Sequence, residues 1–334
     1  MSKPLAPRVL TASSYVSTGR LPPPQVIDAL LVEAHEQFRS NTEGRNSDVY
    51  PALAAARRDL FGICLVEADG NVHAAGDADH EFTIMSVAKP FVFALACEAH
   101  GPDELRAKIG VDATGLPFNS VAAIENSNDG RTNPMVNSGA MATATLVPGN
   151  SLDEKWRIIL EGLSRFAGRE LALNDEIYAS ASATNFQNQS IARLLQSRRR
   201  LYLDPFAATD LYTRQSSINV TAKDLAIMGA TLADGGVNPI TREPVIDPSV
   251  CHYTLAVMAT AGMYETSGTW LYDTGLPGKS GIGGGIVAVS PGKGALGTFA
   301  PPLDDAGNSI KGQLVAKLVS QRLGMDLFAS RAME

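Results

Sequence analysis

The sequence predicts a mixed α/β (α+β) protein: an antiparallel sheet flanked by helices, plus a mainly helical subdomain. Three patterns carry this expectation. A strand, turn and strand lie near the N-terminal end. Two glycine-bounded apolar runs of strand length lie near the C-terminal end. Almost everything between them has helical spacing. One sheet closed by both ends of the chain, with helices inserted, accounts for all three.

Residues 1–22 read as an N-terminal arm ending at Pro22-Pro23-Pro24. Val26, Ile27, Leu30, Leu31, Ala34 and Phe38 then recur at helical spacing between Gln25 and Ser40. The stretch from Phe61 to Asp77 predicts two antiparallel strands about a turn at Asp69-Gly70-Asn71. Phe82-Thr83-Ile84 leads into Ser86, and an apolar helix continues from Pro90 to His100. A proline is tolerated only in a helix's first turn, so Ser86 is placed at the helix N-terminus, where the dipole favours developing negative charge. Residues from about 103 to 245 are mostly helical. They include a helix from Thr221 to Ala233, with Asp224 in its first turn and a stop at Asp234-Gly235-Gly236. Strands are expected at Ile286–Ser290 and Ala295–Ala300, and a last helix from about Ser309 to Leu323. The catalytic domain expected from this order spans 23–330. Its sheet lobe covers about 23–85 and 246–330, and its helical lobe about 86–245.

Composition narrows the function classes. The 334 residues are 45% hydrophobic and carry a net charge of −7, which argues against nucleic acid as a partner. The basic run Arg198-Arg199-Arg200 is expected to be a solvated helix end. Cys64, Cys97 and Cys251 are odd in number and widely spaced, as suits buried thiols in a reducing compartment. The five histidines show no metal-ligand spacing, so neither a metal nor a cofactor is expected. With no secretory leader pattern and no long apolar run, the expectation is a cytoplasmic protein with no membrane partner.

The chemistry begins at Ser86-Val87-Ala88-Lys89. Residues three apart on a helix share a face. A lysine in a dry pocket can lose its proton near neutral pH and take the proton of a serine hydroxyl. Alone this spacing is common. A second signal is Lys279-Ser280-Gly281, which can line a pocket from a strand edge, its glycine admitting close backbone approach. Ser-x-x-Lys with a Lys-Thr-Gly element marks serine β-lactamases and penicillin-binding proteins, and here serine replaces the threonine.

Further segments are more specific. They are Phe82-Thr-Ile-Met-Ser-Val-Ala-Lys89, Pro117-Phe-Asn-Ser120, Asn133-Pro-Met-Val-Asn-Ser-Gly-Ala140 and Gln215-Ser-Ser217. Asp224-Leu-Ala through Gly235-Gly-Val-Asn-Pro239, Gly262-Met-Tyr-Glu-Thr-Ser-Gly268, and Gly275-Leu-Pro-Gly-Lys-Ser-Gly-Ile-Gly-Gly-Gly-Ile286 follow. Ala300-Pro-Pro-Leu and Gly307-Asn-Ser-Ile-Lys-Gly312 complete the series. In this order, over roughly 25–325, the chain resembles the serine-dependent bacterial glutaminases of the β-lactamase-like superfamily. The resemblance implies a β-lactamase/transpeptidase-like fold and a small-molecule amide substrate, L-glutamine. It also implies a homodimer or homotetramer. It implies that Ser86 attacks the side-chain amide and Lys89 accepts its proton. The amides of Ser86 and Ile282 would form the oxyanion hole. Tyr264 would assist proton transfer to departing ammonia, with Tyr212 close by, while Asn137 and Asn188 hold the substrate.

Two positions depart from the family pattern. In Tyr178-Ala-Ser-Ala-Ser-Ala-Thr-Asn-Phe-Gln-Asn188, Ala181 occupies the place of a glutamate that pairs with the substrate's α-ammonium. In Ser47-Asp-Val-Tyr-Pro51, Val49 takes a tyrosine's place and Tyr50, one residue later, is expected to fall out of reach. The acylation residues are kept while head-group recognition is altered. The alternatives are therefore the same mechanism on an amide, lactam or ester lacking a free α-amine, or a non-catalytic binding protein.

Overall fold

Both ends of the chain meet in one five-stranded sheet of order β2-β1-β7-β6-β5, antiparallel throughout. The computed structural model describes residues 19–330, so the arm expected at 1–22 lies largely outside the described residues. α1 (Pro24–Phe38) and the short α2 (Pro51–Ala54) precede β1 (Gly62–Glu67), β2 (Val72–Gly76) and β3 (Phe82–Thr83). A 3-10 turn at Met85–Val87 runs directly into α3 (Ala88–His100). α4 (Pro102–Ile109), α5 (Ala122–Glu125), α6 (Asn137–Leu146), α7 (Leu152–Ala167), α8 (Asp175–Thr184), α9 (Phe186–Ser197) and α10 (Pro205–Ser216) follow. β4 (Asn219–Val220) pairs with β3, and α11 (Ala222–Ala233) and α12 (Pro248–Ala261) lead back to the sheet. A second 3-10 turn at Tyr264–Thr266 and α13 (Ser267–Thr274) come before β5 (Gly278–Ser280), β6 (Gly285–Ser290), β7 (Gly294–Phe299) and α14 (Ile310–Arg322).

Period-two alternation assigns the two faces of the sheet. Ile63, Leu65, Ile286, Ala288 and Leu296 face α1 and α14, whose Ile27, Leu31, Val315 and Val319 complete that core. Cys64, Val66, Val287, Val289 and Ala295 face the other way, toward Leu225 and Met228 of α11. The segment of α11, expected in the helical lobe, therefore lies against the sheet. Gly297 makes this contact possible, because a Cβ there would stand 2.1 Å from the Ala222 carbonyl oxygen. A Thr221–Asp224 capping box starts α11, and Arg169 grips the Asp224 carboxylate at 2.8 and 2.7 Å.

α3 is apolar on nearly every side and is enclosed accordingly, with Phe91, Phe93 and Cys97 in the core. It packs against α4, α6, α7 and α12, and this fixes the turn carrying Ser86 between the helices and β5. All three cysteines are buried and free, and burial pushes each thiol up to about 12. Arg198 and Arg199 are exposed just past α9, while Arg200 pairs with Asp129 at 3.0 Å. Among the described residues, no helix is long and apolar enough to cross a membrane.

Filling the Gly297 contact tests the packing of α11. Gly297→Val should cost about 1–3 kcal/mol, the usual range for an overpacked core. It would be read as a lower urea midpoint; an unchanged midpoint would contradict the close approach.

Candidate active site

The 3-10 turn and α3 present Ser86 and Lys89, 6% and 2% exposed: Ser86 lines a cavity, and Lys89 is buried behind its wall against Asn137. Lys89 Nζ donates to Asn137 Oδ1 at 2.8 Å and to the Met135 carbonyl at 3.2 Å. No carboxylate meets it, and burial lowers its pKa to about 7. Among the described residues Lys89 and Ser86 share no hydrogen bond, so the direct contact implied by their spacing is not formed in this state. The Ser86 hydroxyl instead faces the phenols of Tyr212 and Tyr264.

Asn137 is the first residue of α6, capped by Val136, and its side chain turns inward rather than capping the helix. Its Oδ1 also accepts from Tyr212 at 2.9 Å, and its Nδ2 donates to Asn188 Oδ1 at 2.9 Å. Asn188 Nδ2 donates to Asn185 Oδ1, and Asn185 Nδ2 donates to Thr213 Oγ1, both at 2.6 Å. Four helices, α3, α6, α9 and α10, are thus joined by one buried chain of hydrogen bonds. Asn185 had no separate signal in the sequence beyond its place in the segment that carries Asn188.

Tyr264 reaches the site from the opposite side. Its hydroxyl donates to the Ser280 carbonyl at 3.1 Å, and its ring tilts against Phe118 at 4.8 Å. Burial raises its pKa to about 12 and that of Tyr212 well above the ordinary value; the Ser86 hydroxyl opposes both shifts. Tyr264 and Met85 adopt left-handed backbone angles, φ +58° and +48°, rare for bulky residues. Strain of about 1–3 kcal/mol at such residues gathers where function over-determines the backbone.

Gly281 brings the loop after β5 against the serine. A Cβ there would lie 3.2 Å from the Ser86 amide nitrogen and 2.9 Å from the Ile84 carbonyl oxygen. The Ile282 side chain lines the cavity. Among the described residues neither the Ser86 amide nor the Ile282 amide donates to a protein acceptor, which leaves two adjacent N–H groups available.

Val49, Tyr50, Met85, Phe118, Asn119, Gln187 and Ser216 complete much of the cavity wall. Tyr50 therefore does reach the cavity, against the expectation from its one-residue displacement. It caps the short α2 at φ −126° and ψ 132°, where the chain turns and strand alternation no longer sets direction. Ala181 is buried with Tyr50, Met85, Ile177, Ile282 and Leu303. Asp175 and Glu176 are exposed in the first turn of α8 and line no part of the cavity. Lys279 also departs from expectation: it is fully buried behind Tyr264 and does not line the cavity. A wider cleft of about 640 Å³, lined by Arg106, Asp112, Asp129 and Arg131 among others, contains none of the predicted site residues. No cluster of three metal-ligating side chains occurs among the described residues.

A glutaminase family model matches residues 44–328. The chain belongs to the glutaminase family and is a hydrolase acting on an amide. It is 66% identical to Glutaminase 2 of Yersinia pestis over 316 residues, covering 95% of this chain and 93% of that protein. A glutaminase of Brucella canis is 50% identical over 91% of this chain and 96% of its own length. Among solved structures, a probable glutaminase, ybaS, superposes with a TM-score of 0.90 at 44% identity, covering 92% of this chain and 99% of that one. A Bacillus glutaminase superposes at 0.82 with 30% identity, covering 90% and 99%. The expected β-lactamase-like fold of the family agrees with the sheet and helices found here.

The lysine sets the pH dependence if it acts as the base, because only its neutral amine can accept a proton. Amide turnover should rise with pH through about 7 as Lys89 loses its proton. Tyr264, raised to about 12, should impose no fall below pH 10 or so. A kcat/KM profile that is flat from pH 6 to 8.5 would remove Lys89 from that role.

Proposed function

We propose that the protein hydrolyses L-glutamine to L-glutamate and ammonia through an acyl-enzyme on Ser86. The observation that carries this reading is the convergence of a buried serine, a lysine brought to about 7 and two free backbone amides. Ser86 Oγ attacks the side-chain amide carbon as its proton passes to Lys89. The new oxyanion is held by the amides of Ser86 and Ile282. Collapse breaks the C–N bond, and the proton moves from Lys89 by way of Tyr264 to the leaving nitrogen. Ammonia departs, water attacks the ester carbon as its proton passes to Lys89, the bond to Ser86 Oγ breaks as that proton returns to the serine, and glutamate leaves. Tyr212 and Asn188 fix Asn137, which orients Lys89 and offers polar contacts to the substrate.

A second reading has a specific observation in its favour. None of the side chains lining the cavity carries a charge, and five of them are carboxamides: Asn119, Asn137, Asn185, Gln187 and Asn188. The zwitterionic head group of L-glutamine would lose water there without gaining an ionic partner, at a cost of several kcal/mol. An amide whose α-nitrogen is acylated or absent avoids the ammonium's share of that cost. The same acyl-enzyme chemistry would then serve a substrate with a neutral α-position.

A substrate comparison and one substitution separate these readings, and a second substitution tests the mechanism they share. Ammonia release from L-glutamine and from N-acetyl-L-glutamine would be compared at equal concentration. The better substrate identifies the head group; no release from either, nor from the deaminated amide glutaramate, contradicts both. Ser86→Ala should lower turnover of the active substrate by about 10³-fold or more, as loss of a nucleophile does. Ala181→Glu should raise kcat/KM for L-glutamine by about tenfold, the low end for a close buried charge pair. No gain in a folded variant would show that the missing carboxylate does not limit L-glutamine use.

A further inference from the structure

We infer that Lys279 is the positioning residue for Tyr264. Its Nζ donates to the carbonyls of Gly262 and Ser280, at 2.8 and 2.6 Å, and lies 4.0 Å from the centroid of the tyrosine ring. Gly262 precedes Tyr264 by two residues, and Ser280 supplies the carbonyl that accepts the Tyr264 hydroxyl. One nitrogen therefore ties the backbone approaching the tyrosine to the group holding its phenol, and it underlies the ring between them.

The arrangement answers a structural demand. Tyr264 stands at φ +58°, in a three-residue turn between α12 and α13. A bulky side chain stays in that region only when its surroundings leave no alternative. Within the turn, Ser267 Oγ donates to the Tyr264 carbonyl at 2.7 Å and accepts from the Met263 amide at 3.1 Å. Those contacts shape the turn but do not reach the ring. Lys279 does, and from β5 it links the turn to the strand that continues into Gly281 and Ile282. The phenol and the Ile282 amide are thereby referred to the same strand. Lys279 is fully buried, lines no part of the cavity and has two carbonyls to satisfy in either protonation state. Its action on the reaction passes through Tyr264.

This inference rests on the proposed role of Tyr264 in proton transfer, and a double-mutant cycle tests the two separately. Lys279→Met, Tyr264→Phe and the double variant would be assayed for kcat and KM with L-glutamine and N-acetyl-L-glutamine, using whichever turns over. Thermal melts and far-UV circular dichroism would confirm folding. Lys279→Met should lower kcat by about 10- to 100-fold, the scale of an ångström misplacement, with KM changed less than about threefold. The double variant should be no worse than Tyr264→Phe alone. Losses that multiply in the double variant, or an unchanged kcat in folded Lys279→Met, would overturn the inference. Where Lys279→Met does not fold, Lys279→Gln keeps a donor and is carried through the same cycle. Full activity in Tyr264→Phe would instead overturn the role of the tyrosine itself, and the inference with it.

Discussion

A lysine kept out of water without a counter-ion is the constraint on which the rest of the site depends. Bringing an amine from 10.5 to about 7 corresponds to on the order of 5 kcal/mol against its charged form. Nothing acidic relieves this, and the donors of Lys89 end on Asn137 and on the Met135 carbonyl. Those acceptors belong to α6 and the loop before it, so the helical part must dock on α3 for the lysine to be satisfied. Asn137 in turn needs Asn188 and Tyr212, and Asn188 needs Asn185. A network of this kind is stabilising only when every member is paired. The pairing of the network and the lowered pKa of Lys89 therefore have one cause, the burial of the lysine.

The sheet supplies the other half. β5 is an edge strand, and the loop after it lies on the serine turn only because Gly281 has no side chain. The strand places Ile282 at the cavity and Lys279 behind Tyr264. Strained backbone at Met85 and Tyr264 marks the two points where these halves meet. One wall of the cavity is different in kind. Ala181 and its neighbours form a small apolar cluster, and the polar wall beside it is made of neutral amides. A wall without charged side chains favours uncharged ligands.

Much of this was legible in the sequence. A turn between two strand-length runs and glycine-bounded apolar runs gave the strands, and helical spacing with caps gave α1, α11 and α14 within a residue or two. The ordered motifs pointed to Ser86, Asn137, Asn188, Tyr212 and Ile282, which line one cavity, and to Lys89 and Tyr264, which are buried beside it. What failed depends on three-dimensional direction. Tyr50 enters the cavity because the chain turns at α2, and no periodicity reports a turn's exit angle. Lys279 turns away from the cavity because its neighbours on the far side are two carbonyls and a ring, all distant in sequence or invisible as acceptors. The position of α11 on the sheet depends on Gly297, whose meaning appears only when the helix is beside it.

Burial lowers the pKa of Lys89 toward neutrality. Titration of its side chain by ¹³C NMR, with Lys89→Arg to assign the signal, measures this without reference to any substrate. The account predicts a midpoint near 7 in the folded protein. A midpoint at or above 10 would mean a charged lysine at every working pH, and Ser86 would have to be activated by another group.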